Sequence, residues 1–561
     1  MNKTTRLASA LCATCVLGAN AANAATAFFR PAGGAADGYW DDLGNWWSSE
    51  SYNAQSSRLP NGADTVLVYA PGVTAIVTNN LPSEGGFARN AGLAVGTLTT
   101  GSQAVLVVKD GGVVSTLFTD IGGSKNGTGR TGLLVVEQGG IFTNLNSTSG
   151  FTLGNVNGLG IVTNSGTVSS DYSITIGLGA GGHGVWVHDG GAERPTAKMQ
   201  HNIYVGDKGL GELIVKSGVF SGGNYSGGYP DYGMIAVGGT NTVTSRIEIL
   251  DGASLKNGFW YVGGYPGHPK GRGEIVLRGG SLVCGAAMSR KDSLFIGACR
   301  DGGAIDGDCF GSIRGWGIVT NVPSVTRYNG IQVLLGNGEI VGDGEGTART
   351  LDCLNFYQVT NALAGVSGNT NGWRAVNKGM VKMPPSYVFG SGTAMSGAKC
   401  VGCDMGLARP DLVNAVRVEV TRDGYSGMGC YAHAELYADD RNDIHLNELP
   451  GEVAVLGAWR VGVFTEVVPV EENKVLSDLS AKVSFRYDQA KVQKETSDIE
   501  LLRYVESEGK WTPLAKLTSA QVPADFVIES PAGLGNTGEL FNLGLFAVVE
   551  KFKTATVIYM R

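Results

Sequence analysis

Charge is scarce in this 561-residue chain: 17% of its residues are Asp, Glu, Lys or Arg, and the net charge is −7. The basic residues form no cluster, and a mildly acidic chain without a basic patch argues against nucleic acid as a partner. Beyond the first 24 residues, no apolar run reaches the roughly 18 residues that a membrane-spanning helix needs. We therefore expect neither a nucleic-acid-binding protein nor a helical membrane protein.

Familiar catalytic motifs are also missing. The six histidines form no H-E-x-x-H or comparable ligand spacing, and no G-x-S-x-G elbow is present. The stretch GTGRTG at 127–132 matches G-x-G-x-x-G, but it lies in a glycine-rich turn without the helix that follows in a dinucleotide-binding unit. We predict no catalytic residue and no cofactor-binding residue.

Glycine, by contrast, is abundant, and much of it belongs to a tandem repeat between 104 and 311. One pattern recurs seven times: an apolar residue, any residue, a second apolar residue, two further residues and a glycine. The glycines of successive copies lie 24 to 34 residues apart. The copies are LVVKDG, LVVEQG, IVTNSG, VWVHDG, LIVKSG, IEILDG and IVLRGG, ending at Gly111, Gly139, Gly166, Gly190, Gly218, Gly252 and Gly280. This alternation predicts a strand with one buried face.

Each repeat carries a second signal, an aliphatic residue followed by glycine. These glycines are Gly122, Gly154, Gly177, Gly206, Gly238, Gly263 and Gly297. Glycine adopts positive φ without steric cost, as sharp corners require. One repeat cannot bury its own apolar face, so stacked repeats must share a core. We predict a parallel β-solenoid (β-helix).

The alternation also predicts which side chains point inward. We expect one inward column formed by Val108, Val136, Val187, Val215, Ile249 and Leu277. The residues two before each anchor glycine should face solvent: Lys109, Glu137, Asn164, His188, Lys216, Leu250 and Arg278.

Composition and turn-forming residues divide the rest of the chain into predicted parts. Lys3 and Arg6, an apolar run at 7–17 and a small-x-small site at 22–24 predict a secretory signal peptide over 1–24. The other predicted parts are an N-terminal cap with first coils (25–103), the solenoid array with a transition (104–377), a Gly/Pro-containing linker (378–411) and a β-sandwich (412–561). This last part holds only 11 of the 87 glycines. The fold class is all-β, a parallel β-solenoid followed by a small C-terminal β-sandwich.

Three tryptophans, Trp40, Trp46 and Trp47, lie close together in the N-terminal part. An open-ended solenoid exposes core and strand edges at its first coil, and large aromatic side chains suit a cap. The alternative is a carbohydrate platform, since exposed Trp rings stack on sugars. The cap is the favoured interpretation.

The chain carries the motif W-D-x-x-x-N-W (Trp40, Asp41, Asn45, Trp46), the later Pro60 and Asp64, and the G-x-L-x-V-x-x-G repeats. In these features it resembles secreted bacterial proteins with autotransporter-associated or PEP-CTERM-associated β-strand repeats. The resemblance spans about 38–346. It implies an exported, passenger-like β-solenoid, usually without assigned catalysis. The chain shows neither a C-terminal sorting helix nor the long barrel of an autotransporter.

Seven cysteines follow the signal peptide. In an oxidising compartment we expect disulfides, with Cys299 and Cys309 in one long loop and Cys400 with Cys403 or Cys430. A zinc site or redox pair at Cys400 and Cys403 is the alternative. Three acidic residues, Asp301, Asp306 and Asp308, are weak calcium candidates, because several carboxylates converge in one loop.

The favoured function is an exported structural or adhesive protein at the cell surface, in the extracellular space or in the periplasm. Its repeat stalk would present variable loops to a glycan or protein partner, without catalysis and without a required cofactor. A β-helix polysaccharide lyase or glycoside hydrolase is the first alternative, and an autotransporter passenger is the second.

Overall fold

The computed structural model describes most of the chain after residue 24. The described ranges are 25–49, 51–60, 63–78, 88–90, 92–99, 101–123, 130–145, 150–190, 198–199, 202–222, 234–239, 243–265, 270–284, 294–298, 309–321, 331–364, 370–389, 396–422, 430–464, 479–494, 497–537 and 541–552. The predicted signal peptide therefore lies outside the described residues.

The chain is all-β with large parallel sheets, as the repeat pattern predicts. It divides into two compact units, Met1–Gly258 (unit 1) and Phe259–Arg561 (unit 2). No α-helix occurs in the described ranges, where helical structure is confined to 3-10 turns. These turns are Ala32–Gly34, Leu43–Asn45, Leu446–Glu448, Gln489–Lys491, Glu506–Glu508 and Ser519–Gln521.

Unit 1 is built from a repeat of three short strands, and each strand pairs in parallel with its equivalent in the next repeat. The first strands are Thr26–Phe29, Thr65–Val68, Gly92–Val95, Thr119–Ile121, Phe151–Leu153, Ile174–Ile176, Ile203–Val205 and Met234–Val237. The second strands are Asp37–Tyr39, Thr74–Val77, Ala104–Val108, Thr131–Val136, Leu159–Asn164, His183–Asp189, Leu210–Ser217 and Ser245–Leu250. The third strands are Ala88–Asn90, Val113–Thr116, Ile141–Asn144, Thr167–Ser170, Lys198–Met199, Val219–Gly222 and Ser254–Asn257. Trp46–Trp47 pairs antiparallel with Thr26–Phe29.

Side chains alternate between buried and half-buried along the second strands, as the sequence predicts. The predicted inward column is wrong at one member, because Val187 lies on the outward side and His188 takes the inward place. The register pairs Val136 with Asn164, Asn164 with His188, His188 with Val215 and Val215 with Ile249. Asn164 and His188, both predicted to face solvent, are fully buried.

The cause of this shift is the length of the turn after the strand. The inward Val136 lies three positions before its anchor Gly139, but Asn164 lies only two positions before Gly166, and His188 two positions before Gly190. The anchor glycine therefore marks the turn and not the strand. In the two repeats that end at Gly166 and Gly190, counting back from the glycine misplaces each side chain by one residue, and a shift of one residue exchanges the two faces of a strand.

Burial of His188 makes unit 1 sensitive to acid. Asn164 Nδ2 lies 3.2 Å from His188 Nδ1, and burial lowers the pKa of His188 to about 4 despite the nearby Asp189. The unfolded chain takes up a proton near pH 6.5 and the folded chain only near pH 4. The free energy of unfolding is therefore highest above pH 6.5, and it falls by about 3 kcal/mol in total as the pH drops from 6.5 to 4.

We predict that His188→Asn, which keeps an amide opposite Asn164 but cannot titrate, removes this part of the pH dependence. The measurement is urea unfolding of both proteins at pH 7.5, 6, 5 and 4, four values spanning the titration window. As the pH falls, the free energy of unfolding should decrease more for wild type than for the variant. A constant difference across the series would contradict a buried, neutral His188.

The aliphatic–glycine pairs form corners, as predicted. All seven of their glycines have positive φ, between +57° and +87°. At Gly177 (φ +78°) a Cβ atom would lie 2.3 Å from the carbonyl oxygen of Leu210 in the next repeat. Glycine is therefore required there for backbone conformation and for the close approach of two chains.

Unit 2 begins with the same kind of parallel pairing. Its first strands are Phe259–Val262, Leu294–Ile296, Ile331–Leu335 and Phe356–Asn361. The other parallel strands are Arg272–Cys284, Phe310–Asn321, Gly338–Asp343, Arg349–Cys353, Gly372–Val376 and Gly379–Lys382. The predicted inward Leu277 is buried within this unit.

The remaining strands that the structure describes in unit 2 pair antiparallel. One sheet contains Ser386–Phe389, Cys430–Tyr437, Val453–Phe464, Gly544–Lys551, Asp498–Val505 and Lys510–Leu517. The other contains Ser396–Val401, Val416–Arg422, Leu479–Arg486 and Val527–Glu529. Phe485 of the second sheet packs on Trp459 and Phe546 of the first, with ring centroids 4.8 and 5.2 Å apart.

The range predicted as a linker, 378–411, instead contributes three strands. Gly379–Lys382 and Ser386–Phe389 pair with Cys430–Tyr437, and Ser396–Val401 pairs with Val416–Arg422. The two prolines at 384 and 385 lie between strands, where proline's missing N–H costs no ladder hydrogen bond. They lie at the break between two strands that both pair with Cys430–Tyr437.

Candidate functional surface

The outward side of the second strands in unit 1 carries two regular rows of side chains. Row one runs Asp37, Thr74, Val105, Leu133, Ile161, Val185, Glu212 and Arg246. Row two runs Tyr39, Ile76, Val107, Val135, Thr163, Val187, Ile214 and Glu248. We call these two rows the aliphatic face, because nine of the sixteen side chains are Val, Leu or Ile.

The aliphatic side chains lie in the middle of the face, and all of them are half-buried. The outward residues of the third strands are less apolar, although they belong to the same repeats. One row there includes Ser115, Thr143, Ser169, Ser221 and Lys256, and the other includes Val113, Ile141, Thr167, Val219 and Ser254. Three of these ten side chains are aliphatic, against nine of sixteen on the second strands, so aliphatic residues are concentrated on the second strands.

Polar groups border the aliphatic face at both ends. Asp37 and Tyr39 are exposed at the N-terminal end. At the other end, Glu212 Oε2 lies 2.8 Å from His183 Nε2, and Arg246 Nη2 lies 3.4 Å from Glu248 Oε1. A hydrocarbon patch with a polar border is the usual composition of a protein interface.

Sequence reasoning missed this face, although a signal was present. Strands with one wet face should alternate apolar and polar residues, whereas AVLVV and TGLLVV have consecutive aliphatic residues. Such runs are typical of strands that are covered on both faces. Only the inward half of each run entered the sequence prediction.

No family model, no curated protein and no solved structure matches this chain. Its functional residues are therefore inferred from their own geometry.

The three tryptophans proposed as cap or sugar platform occupy different environments. Trp40 and Trp46 are buried, with ring centroids 4.7 Å apart, and Trp46 Nε1 donates a 2.7 Å hydrogen bond to the Trp40 carbonyl oxygen. Trp47 is half-buried and packs edge-on against Tyr52. Of the three, Trp47 alone presents a partly exposed ring, so a sugar contact at this cluster would have to use it.

The cysteines proposed as disulfide partners are free thiols where the structure describes them. Cys309, Cys400, Cys403 and Cys430 are all buried, and burial raises the pKa of Cys430 to about 12. Cys309 Sγ donates a hydrogen bond to the Gly297 carbonyl oxygen. The remaining partner, Cys299, lies outside the described residues, as do the calcium candidates Asp301, Asp306 and Asp308.

One carboxyl group in unit 1 has a strongly shifted pKa. Asp120 is 2% exposed, and burial raises its pKa to about 6, although Thr152 and Asn155 donate hydrogen bonds to it. The Thr152 Oγ1 to Asp120 Oδ1 distance is 3.2 Å. A glycosidase-type site would need a second carboxyl group about 5 to 10 Å away on an open cleft. Asp120 is instead enclosed between the strands Gly92–Val95 and Phe151–Leu153.

The described part of the chain offers few other candidate sites. No group of three or more His, Cys, Asp or Glu side chains there is placed to hold a metal ion. One pocket in unit 2, bordered by Phe356, Pro385, Cys403 and Met405, has a volume of about 10 Å³, which is room for one water molecule and far below the ~300 Å³ of small ligand pockets. None of the described helices is long and apolar enough to cross a membrane.

Proposed function

We propose that this chain is an exported structural or adhesive protein whose parallel strands form a β-solenoid, with a C-terminal β-sandwich. Its stalk offers the aliphatic face as a contact surface at the cell surface or in the extracellular space. The proposal includes a relationship to the autotransporter-associated and PEP-CTERM-associated repeat proteins that the sequence resembles.

The observation that carries the proposal is the aliphatic face. Strand pairing holds its side chains in two straight rows at the ~4.8 Å spacing of paired strands. Such a surface is rigid before it meets a partner, so binding costs little conformational entropy. A stiff, repetitive and preformed surface suits a structural or adhesive role.

The export part of the proposal is tested by expressing the full chain in a Gram-negative host and sequencing the N-terminus of the product. We expect cleavage between Ala24 and Ala25 and recovery outside the cytoplasm. A matched variant, Leu11→Arg, breaks the apolar run of the signal and should leave the chain unprocessed inside the cell. An uncleaved wild-type chain in the cytoplasm would refute export.

We predict that the purified mature chain neither hydrolyses nor eliminates common polysaccharides. Acid/base catalysis on a sugar needs two groups with displaced pKa values on either side of the scissile bond. The measurement is release of reducing or unsaturated ends from a polysaccharide panel, with Asp120→Asn as the matched variant. Activity that Asp120→Asn abolishes would favour the enzyme alternative.

A further inference from the structure

We propose that the aliphatic face of unit 1 is the interface of a homodimer, in which a second copy of the chain packs face to face with its repeat axis reversed. This inference deepens the proposed function and shares its surface, because it names a second copy of the chain as the partner of the aliphatic face. It does not depend on export, so failure of the export test leaves the dimer test intact.

The first argument is the residue pattern of the strands. Consecutive aliphatic residues place hydrocarbon on both sides of the sheet, as in sheets that are covered on both faces. The inward side is covered by the core of unit 1, where Leu106, Val108, Leu134 and Val136 are at most 1% exposed. The outward side carries equally apolar residues that are only half-buried.

The second argument is the symmetry of the rows. In the proposed dimer, a two-fold axis lies between the two faces and runs parallel to the strands. It brings the first of the eight strands of one copy opposite the eighth strand of the other, the second opposite the seventh, and so on. Row one of one copy then faces row one of the other, and row two faces row two. Val105 then faces Val185, Val107 faces Val187, and Leu133 faces Ile161. Ile76 faces Ile214 in the same way, and Val135 faces Thr163. Eight of the nine aliphatic residues of one copy therefore meet aliphatic residues of the other.

The third argument is charge. The same axis places Asp37 of each copy opposite Arg246 of the other, and Tyr39 opposite Glu248. The first pair is an ion pair, and in the second the phenol hydroxyl can donate to the carboxylate. The other face-to-face arrangement, with parallel repeat axes, also gives an ion pair, Arg246 with Glu248, and opposes Asp37 to Tyr39. The two arrangements differ at Glu212, which faces Ile214 in the parallel arrangement and Thr74 in the reversed one. A carboxylate buried on hydrocarbon is costly, whereas the Thr74 hydroxyl can donate to it, so Glu212 favours the reversed arrangement.

The size of the face sets the expected affinity. Eight strands at ~4.8 Å spacing and two rows of side chains cover on the order of 450 Å² per copy. Standard stable interfaces bury about 800 Å² per partner. We therefore expect a reversible dimer whose population rises with protein concentration.

The test is sedimentation of the mature chain over a concentration series, with circular dichroism and a melting curve to show that every variant is folded. Wild type should dimerise. Leu133→Glu puts a charge at the centre of the face and, by symmetry, at two places in the dimer, so the dissociation constant should rise roughly a hundredfold. The matched control Ile141→Glu makes the same chemical change on a third strand of the same repeat and should dimerise like wild type.

A charge exchange tests the reversed arrangement. Asp37→Lys and Arg246→Glu should each weaken the dimer, and the double variant should restore it, because the opposite charges again face each other. A protein that is monomeric at every concentration overturns the proposal and leaves a different molecule as the occupant of the face. A dimer that Leu133→Glu leaves intact, or a double variant that stays as weak as the singles, overturns it as well.

Discussion

Replacing Gly177 with alanine is expected to destabilise unit 1 by at least about 4 kcal/mol, enough to prevent recovery of folded protein from many hosts. The new Cβ atom would lie 2.3 Å from the carbonyl oxygen of Leu210 and 2.5 Å from its carbonyl carbon. Neither atom can move alone, because both belong to a backbone held in the strand ladder. The clash can be relieved only if the two neighbouring repeats move apart at this corner.

The matched control is Gly252→Ala. Gly252 also has positive φ, +73°, but no atom lies within 4 Å of its added Cβ. This variant therefore carries only the conformational cost of alanine in the left-handed region, about 1–2 kcal/mol. The measurement is the urea midpoint of the mature chain followed by circular dichroism. Equal losses in the two variants would show that the close approach of neighbouring repeats at this corner is not formed.

Replacing Ile249 with aspartate is expected to cost about 4 kcal/mol or more. Ile249 is fully buried and paired with Val215, so the change removes a packed side chain and places a carboxylate among hydrocarbon. The carboxylate would become protonated or draw water into the core, and either response costs stability.

Glu248→Asp, one residue away on the aliphatic face, serves as the control for Ile249→Asp. Glu248 points outward and meets Arg246 in a partly exposed ion pair at 3.4 Å. The loss of such a pair costs no more than about 1 kcal/mol. The two midpoints should therefore differ clearly in thermal or urea unfolding. Similar values for both variants would mean that residues 248 and 249 do not face opposite sides of the sheet.

Local sequence patterns predicted the elements of this protein well because they depend on short-range physics. Alternation along a strand follows from the two-residue period of β structure, and it correctly gave buried Leu106, Val108, Ile247 and Ile249. Positive φ after an aliphatic residue follows from the need for a sharp corner. The predicted turns at Gly122 and Gly177 are confirmed for the same reason.

The candidate surface was less accessible from the sequence. A run such as AVLVV shows that both sides of a strand are apolar, but it does not show which strands of other repeats continue each row. The register between repeats supplies that information, and it depends on turn lengths that differ by one residue. For the same reason His188 was predicted on the surface and is found in the core.

By itself, the sequence determined that this chain is all-β and repetitive, because periodicity and glycine placement act within a few residues. Only the tertiary structure decided which side chains stack from repeat to repeat, since hydrogen bonding between distant strands sets their register. That register places Asn164 against His188 and aligns Val105, Leu133, Ile161 and Val185 in one row. Turn lengths and strand pairing together decide these neighbours, and no single repeat contains enough information to specify them.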